Sequence, residues 1–168
     1  MIKMLEPMMN EIQQEAAITR RVLERVPADK LTWKPHPKSM SLGQLALHVA
    51  TIPGNLSKLA QQDGLDTSQA NFDPPLPGDA KEILSSFEAS IKATEVNLGK
   101  LSESAAMGNW RLTSKGQEVF SIPRVALLRS IMLNHWYHHR GQLSVYLRLL
   151  EVPVPVIYGR SADENPFA

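Results

Sequence analysis

Cysteine is absent from the 168-residue sequence, and neither sign of charge prevails. Without thiols the chain has no disulfides, no thiolate metal ligands and no cysteine nucleophile. The 18 Lys and Arg residues nearly balance the 17 Asp and Glu residues, which leaves a formal net charge of +1. Proteins dedicated to DNA binding normally carry a concentrated basic surface, so we expect no nucleic-acid partner. Any bound metal would depend on histidine or carboxylate ligands.

Long apolar runs are also missing. The longest are short pieces such as residues 125–128, far below the roughly 20 residues that a membrane-spanning helix requires. Charged side chains at Lys3, Glu6 and Glu11 interrupt the hydrophobic segment that a signal peptide would need. The sequence therefore predicts a cytoplasmic protein with no membrane partner. Its length and its 43% apolar content predict one globular domain over residues 1–168.

Four segments carry apolar residues at three- and four-residue steps, which predicts four long helices. The predicted helices cover approximately residues 5–26, 41–62, 79–98 and 121–151. Ser41 and Gln44 form a capping-box pattern at the start of the second helix. Pro53 lies inside that helix and removes a backbone donor, so we expect a kink or two short helices in series.

The connecting segments complete the predicted architecture. Residues 63–78 are polar and rich in proline, which predicts one long crossover loop. Residues 108–120 read as a small hairpin or an extended arm before the last helix. Residues 151–168 alternate proline with valine at their start, which predicts an extended C-terminal tail. Together these features predict an all-α protein, a four-helix bundle with these additions.

Two histidines lie one turn apart on the predicted fourth helix. At 100° per residue, His135 and His139 are about 40° apart and share a stripe with Leu128, Met132 and Leu143. Both imidazoles are therefore expected to point into the bundle interior, where their nitrogens need partners. A histidine pair at this spacing can chelate one metal ion.

A third histidine strengthens the metal hypothesis. His48 shares its face of the second helix with Leu45 and Ile52, so it is also expected to point inward. Three neutral imidazoles from facing helices would form a metal site with an open position, which is typical of catalytic zinc. A core or surface role is the alternative for each histidine. We expect surface positions for His36, which lies between two prolines, and for His138, which lies off the stripe.

Three other side chains are candidates to support the site or line a pocket. Gln142 projects within about 20° of His135 and could hold the second nitrogen of a ligand, with a helix-packing role as an equal alternative. Tyr146 lies on the same stripe. Trp33 precedes the second helix and is expected to be a core plug or a pocket wall. The residues assign no catalytic group beyond a thiol or a water bound to the metal.

These motifs resemble the DinB/YfiT-like superfamily. The resemblance covers essentially the whole chain and rests on SLGQLALH at residues 41–48, H-x₃-H-R-G-Q at 135–142, W-x-P at 33–35 and Y-G-x-S-A-D at 158–163. It implies a bacterial four-helix-bundle protein, frequently a homodimer. It also implies a divalent metal, often zinc or nickel, bound by His48, His135 and His139.

Better-described relatives in that superfamily are transferases that depend on low-molecular-weight thiols such as bacillithiol or mycothiol. The resemblance thus implies a metal-dependent enzyme that activates such a thiol for S-transfer to an electrophilic small molecule. A Lewis-acidic metal lowers the pKa of a bound thiol, and a chain without cysteine must take its sulfur from a cofactor. A hydrolase with a metal-bound water and a non-catalytic, metal-stabilised stress-response module are the alternatives. Because no carboxylate of the second or fourth helix projects onto the histidine stripe, the pattern favours transfer.

Overall fold

The structure, a computed structural model, describes residues 1–167. The helices are α1 (Glu6–Leu23), α2 (Leu42–Leu59), α3 (Ala80–Lys100), α4 (Glu103–Met107), α5 (Arg124–Ala126) and α6 (Asn134–Leu149). A π-helical segment, Leu127–Leu133, joins α5 to α6 without interruption. The strands are β1 (Gly64–Asp66), β2 (Asn109–Ser114) and β3 (Gln117–Pro123).

The predicted all-α class is wrong, because the chain also forms a three-stranded mixed sheet. Strands β2 and β3 pair antiparallel at the place where a hairpin or an arm was expected. Strand β1 of the proline-rich crossover loop then pairs parallel to β2. Only glycine fits at position 64, since a Cβ there would lie 2.2 Å from the carbonyl oxygen of Arg111. A strand of three residues has too little alternation to be distinguished from a loop by its sequence.

The long helices α1, α2, α3 and α6 pack around a shared apolar core. Helix α2 contacts both α3 and α6, and α1 contacts the same two helices. Fully buried side chains come from every one of these elements and from the π-helical segment, among them Leu5, Ile12, Leu45, Val49, Ile83, Leu98, Leu128, Met132 and Leu143. Burying each such side chain contributes about 1.5–3 kcal/mol, so this core supplies the main driving force for folding.

Local sequence explains how α2 begins and how it tolerates proline. The predicted capping box is confirmed, because Ser41 Oγ accepts from the Gln44 amide at 3.2 Å and Gln44 Oε1 accepts from the Ser41 amide at 3.0 Å. Despite Pro53, α2 is one helix and does not divide into two. The amide of Gly54 donates to Ser90 Oγ of α3 at 2.8 Å. This contact fixes α3 close against α2 beside the proline.

A buried arginine joins the sheet to the helices. The last helical stretch begins at Arg124 and not at Ser121, since Ser121 still pairs with β2. The Arg124 guanidinium, at the start of α5, donates to the carbonyl oxygens of Ala60, Gln62 and Asn109 at 3.0–3.2 Å and also pairs with Asp63 at 2.7 Å. It thereby ties the end of α2 to β2 and to the start of the crossover loop.

The segment after α6 contains neither helix nor strand through residue 167. Asp163 pairs with Arg148 of α6, and Glu164 pairs with Arg21 of α1 at 2.5 Å. Residue 168, the end of the predicted tail, lies outside the described residues. Within residues 1–167, no helix has the length and apolar content to cross a membrane.

Candidate metal centre

The structure brings the three predicted histidines together between α2 and α6. His48 comes from α2, and His135 and His139 come from successive turns of α6. Each offers a ring nitrogen that lies within 4.8 Å of the other two. The Nε2 atoms of His48 and His135 are 3.2 Å apart, and the three ring centroids are separated by 4.5–5.1 Å. All three side chains are half-buried, so they lie at the edge of the core and not deep inside it.

The surroundings of the cluster favour neutral imidazoles. Burial, together with the neighbouring imidazoles, lowers the pKa of His48 and of His135 to about 4. Burial also lowers the pKa of His139, against the opposing effect of a hydrogen bond with Gln142. At neutral pH the rings therefore carry lone pairs and no charge, which is the state in which histidine binds a metal. Within the described chain, no carboxylate joins this group.

Gln142 fixes the orientation of one ring. Its Oε1 atom lies 2.7 Å from Nδ1 of His139, one turn earlier on α6. Because a carbonyl oxygen can only accept, Nδ1 carries the proton and Nε2 keeps its lone pair. The sequence projected Gln142 near His135, but the structure places it on His139.

Trp33, which precedes α2, contacts Tyr146 of α6. Their ring centroids are 5.7 Å apart, and their planes cross at 85°. The Tyr146 hydroxyl donates to the carbonyl oxygen of Met40 at 3.3 Å. Both rings are half-buried. The structure thus places the two predicted pocket residues side by side.

The remaining histidines lie at the surface, as predicted. His36 is exposed, and its Nδ1 accepts from the backbone amide of Lys38 at 3.2 Å. His138 is exposed on α6, and its ring centroid lies 5.0 Å from that of His139. Neither joins the three converging nitrogens.

Sequence reasoning missed the π-helical segment that leads directly into the histidine pair. A π-helix bonds residue i to i+5 and so holds more residues per turn than an α-helix. The projection at 100° per residue therefore misjudges the angle between Leu128 and His135. No proline or glycine marks the segment, so its sequence gives no signal.

Sequence reasoning also did not predict a buried ion-pair network on another face of α6. The Arg140 side chain is only 1% exposed and forms an interhelical ion pair. Its guanidinium pairs with Glu15 of α1 at 2.6 Å and donates to Thr19 Oγ1 at 2.9 Å. The hydroxyl of Tyr158, in the C-terminal segment, accepts from Arg140 at 2.5 Å and donates to Glu15 at 2.9 Å.

This protein combines a helical core with an added mixed sheet, and it has a histidine cluster between α2 and α6. The family comparison then identifies it: residues 1–165 match the DinB family, and the chain belongs to that family. The chain is 26% identical over 164 residues to YrdA, an uncharacterized protein of Bacillus subtilis strain 168, a match that covers 98% of this chain and 93% of YrdA.

Two crystal structures of DinB-like proteins have the same fold. The YjoA protein of Bacillus subtilis superposes with a TM-score of 0.69 at 19% identity and covers 92% of this chain and 100% of its own. A DinB-like protein of Bacillus cereus gives a TM-score of 0.64 at 22% identity, with 89% and 94% covered. At these identities the similarity is evidence for the fold alone.

Proposed function

We propose that this protein binds one divalent metal ion through His48, His135 and His139. The observation that carries the proposal is the 3.2 Å separation between Nε2 of His48 and Nε2 of His135. Two nitrogens that each lie about 2.0–2.1 Å from a tetrahedral zinc ion are about 3.3 Å apart. The structure thus holds two ligand atoms at the spacing that one shared ion requires.

The donor set agrees with zinc or nickel. Neutral imidazole suits both ions, whereas calcium and magnesium prefer oxygen ligands. Three neutral ligands leave the full charge of the ion uncompensated and leave a coordination position for a further ligand. An anionic ligand from solution would therefore be attracted to this position.

We further propose that this ligand is a low-molecular-weight thiol and that the protein is a thiol S-transferase. A bound divalent ion supplies Lewis acidity, which lowers the pKa of a coordinated thiol. Two features of the chain favour this reaction. It has no cysteine to serve as the nucleophile, and neither α2 nor α6 contains an Asp or Glu that could act as a base for water.

The transfer step balances without an oxidant. The thiol sulfur forms a bond to the electrophilic carbon of the substrate, the bond from that carbon to its leaving group breaks, and the leaving group takes the electron pair. The thiol proton passes to solvent. The residues of this chain hold neutral ligand nitrogens toward the reacting centre, and Gln142 keeps the His139 proton on Nδ1, away from it.

Equilibrium metal binding tests the first part of the proposal. Chelator-treated protein is titrated with zinc and with nickel by calorimetry, alongside His135→Ala and the exposed control His36→Ala. We expect one ion per chain, with affinity lost in His135→Ala and kept in His36→Ala. Equal affinities for the two variants would contradict the proposed site. The homodimer implied by the family resemblance remains a prediction, and light scattering on the same samples tests it.

A turnover assay tests the second part. Zinc-loaded protein is incubated with monochlorobimane and a panel of small thiols, and the fluorescent conjugate is followed. Conjugate formation that requires thiol, metal and His135 supports S-transfer. Metal-dependent hydrolysis of an ester panel without thiol would point to the hydrolase alternative. Inactivity in both assays would favour a non-catalytic metal-binding module.

A further inference from the structure

A surface cavity of about 430 Å³ lies between α2 and α3, and the three clustered histidines are not among the residues that line it. Its walls come from residues 51–58 of α2 and residues 86–97 of α3, and we call it the α2–α3 trough. Small side chains bring the two helices close together, since a Cβ at Gly54 would lie 2.9 Å from the Cα of Ser90. Among the described residues, Lys58 is the single charged side chain that lines the trough. The trough is a depression along two helices, which a third helix can enter.

The two helices run in the same direction. The amide of Gly54 donates to Ser90 Oγ at 2.8 Å, and farther along both helices Asn97 Nδ2 donates to Ser57 Oγ at 3.1 Å. Lys58 thus lies toward the same end of the trough as the C-terminus of α3. Charge is therefore distributed unevenly along the trough, with its cation at one end.

One face of α3 carries charge only at its two ends. At 100° per residue, six side chains project within about 40° of one direction. They are Glu82, Ser86, Ala89, Ala93, Val96 and Lys100, and all six are exposed or half-buried. The four in the middle are small or apolar, and three of these four line the trough. Within residues 1–167, neither Glu82, whose carboxylate caps the start of α3, nor Lys100 forms an ion pair.

The six positions are symmetric about residue 91. Three pairs of them average to that number: 82 with 100, 86 with 96, and 89 with 93. When two copies of α3 pack antiparallel about a twofold axis at residue 91, Glu82 of each copy lies opposite Lys100 of the other. Ala89 lies opposite Ala93, where the small side chains allow a close approach. An interface between identical chains needs this kind of self-complementarity, because the same surface meets itself.

We propose that a second copy of this chain docks on this face, with α3 of each copy lying antiparallel in the α2–α3 trough of the other. Opposite charges at the two ends set the antiparallel direction, whereas a parallel arrangement would bring like charges together. Lys58 adds a second cation to the end that meets Glu82 of the other copy. Docking also covers Val96, an apolar side chain that is 49% exposed in the single chain. The inference does not depend on the proposed metal site, and it gives the expected homodimer a defined face and axis.

Sedimentation equilibrium of the full chain tests the docking face. We expect the wild type to dimerise. Ala89→Arg places a long cation at the centre of the interface, so its dimer dissociation constant should rise at least about 100-fold. Ala17→Arg is the matched control, because Ala17 is an exposed helical alanine on α1, and it should dimerise as the wild type does. A monomeric wild type, or equal dimerisation of the two variants, would overturn the inference and leave the metal site standing.

Charge reversal tests the direction of packing. Lys100→Glu places a carboxylate opposite Glu82 at both ends of the interface, and we expect the dimer to weaken about tenfold in low salt. The weakening should shrink as salt is added, because exposed charges are screened. Lys81→Glu makes the same change of charge on α3 but projects about 100° away from the docking face, so it should not weaken the dimer. Equal effects of the two substitutions would overturn the antiparallel arrangement.

Cysteine cross-linking gives a direct readout of the contact at the axis. The chain has no cysteine, so introduced thiols report the designed contact alone. Under mild oxidation, the double variant Ala89→Cys, Ala93→Cys should form a covalent dimer, since each thiol then faces the other position across the axis. The control Ala17→Cys should remain largely monomeric on a denaturing gel. Absence of the covalent dimer from the double variant, or its equal formation in the control, would overturn the proposal.

Discussion

Two faces of helix α6 hold polar side chains in opposite ways. On one face, Arg140 is buried and charged, and Glu15, Thr19 and Tyr158 satisfy its donors. On the other, His135 and His139 meet His48, and among the described residues no carboxylate joins the group. The first arrangement is complete within the protein and stabilises the fold. The second places neutral ring nitrogens beside one another, which suits the uptake of an ion.

The largest effect expected from this comparison is the loss of Arg140. Arg140→Ala leaves the largely buried carboxylate of Glu15 without its cationic partner and with only the Tyr158 hydroxyl as a donor, and the loss of such a cation destabilises proteins by about 3–5 kcal/mol. Urea denaturation of the metal-free protein measures the loss. Arg148→Ala is the control, because Arg148 and Asp163 are both partly exposed and such pairs contribute about 1 kcal/mol or less. Similar losses in the two variants would contradict the difference between buried and exposed pairs.

Removal of a histidine should weaken metal binding strongly and change the stability of the metal-free protein little, the reverse of what is expected for Arg140→Ala. In His48→Ala, zinc affinity should fall at least about 100-fold, because one of three protein ligands is lost. The urea stability of the metal-free protein should change by about 1 kcal/mol or less, since the half-buried ring makes no ion pair there. Competition with a chromophoric chelator measures the affinity. A large loss of metal-free stability together with unchanged zinc binding would assign the cluster a structural role.

The pH dependence of stability gives a further test of the difference between the histidine cluster and the Arg140 network. The pKa values of His48 and His135 are lowered from 6.5 to about 4 in the folded protein. Between these values the unfolded chain binds protons that the folded chain does not, so stability is complete above pH 6.5 and falls as the pH decreases toward 4. After allowance for solvent access, we expect a loss on the order of 1–2 kcal/mol from the cluster.

Urea denaturation of the metal-free wild type at pH 7 and pH 5 measures this loss, alongside the double variant His48→Ala, His135→Ala. The double variant should lose less stability over the same interval, because it lacks the two groups that titrate there. An equal loss in both proteins would show that other groups cause the pH dependence.

The smallest expected effect on metal binding concerns Gln142. Gln142→Leu removes the acceptor that holds the His139 proton on Nδ1, and loss of such a partner typically weakens metal binding about 10–100-fold. Gln142→Glu restores an acceptor and adds a negative charge, so it should bind zinc at least as tightly as the wild type. The same chelator competition compares them. Equal weakening by the two substitutions would show that Gln142 acts by packing and not as an acceptor.

The histidine cluster was accessible to sequence reasoning because helical register is local. The spacing of His135 and His139 alone places them on one face, and the apolar neighbours of His48 in α2 indicate its direction. Burial of the three rings was overestimated, because the pattern within one helix does not show how much of a side chain the neighbouring helices leave exposed. Hydrophobic periodicity detects regular helices only, so it also missed the π-helical segment Leu127–Leu133.

The sheet and the Arg140 network depend on contacts that are distant in the sequence. Strand β1 pairs with residues 111–113, and its three residues carry no pattern of their own. Arg140 finds Glu15 and Tyr158 on segments 125 and 18 residues away. Patterns within one segment cannot predict such partners, which is why the all-α prediction was wrong and the Arg140 network was not predicted.

Zinc X-ray absorption on protein loaded with one equivalent tests the central claim most directly. Its fine structure reports the number and type of ligand atoms and identifies imidazole by the outer ring atoms. The account predicts three imidazole nitrogens at about 2.0–2.1 Å, falling to two in His48→Ala. A first shell with fewer than three imidazoles in the wild type, or one unchanged in His48→Ala, would contradict it.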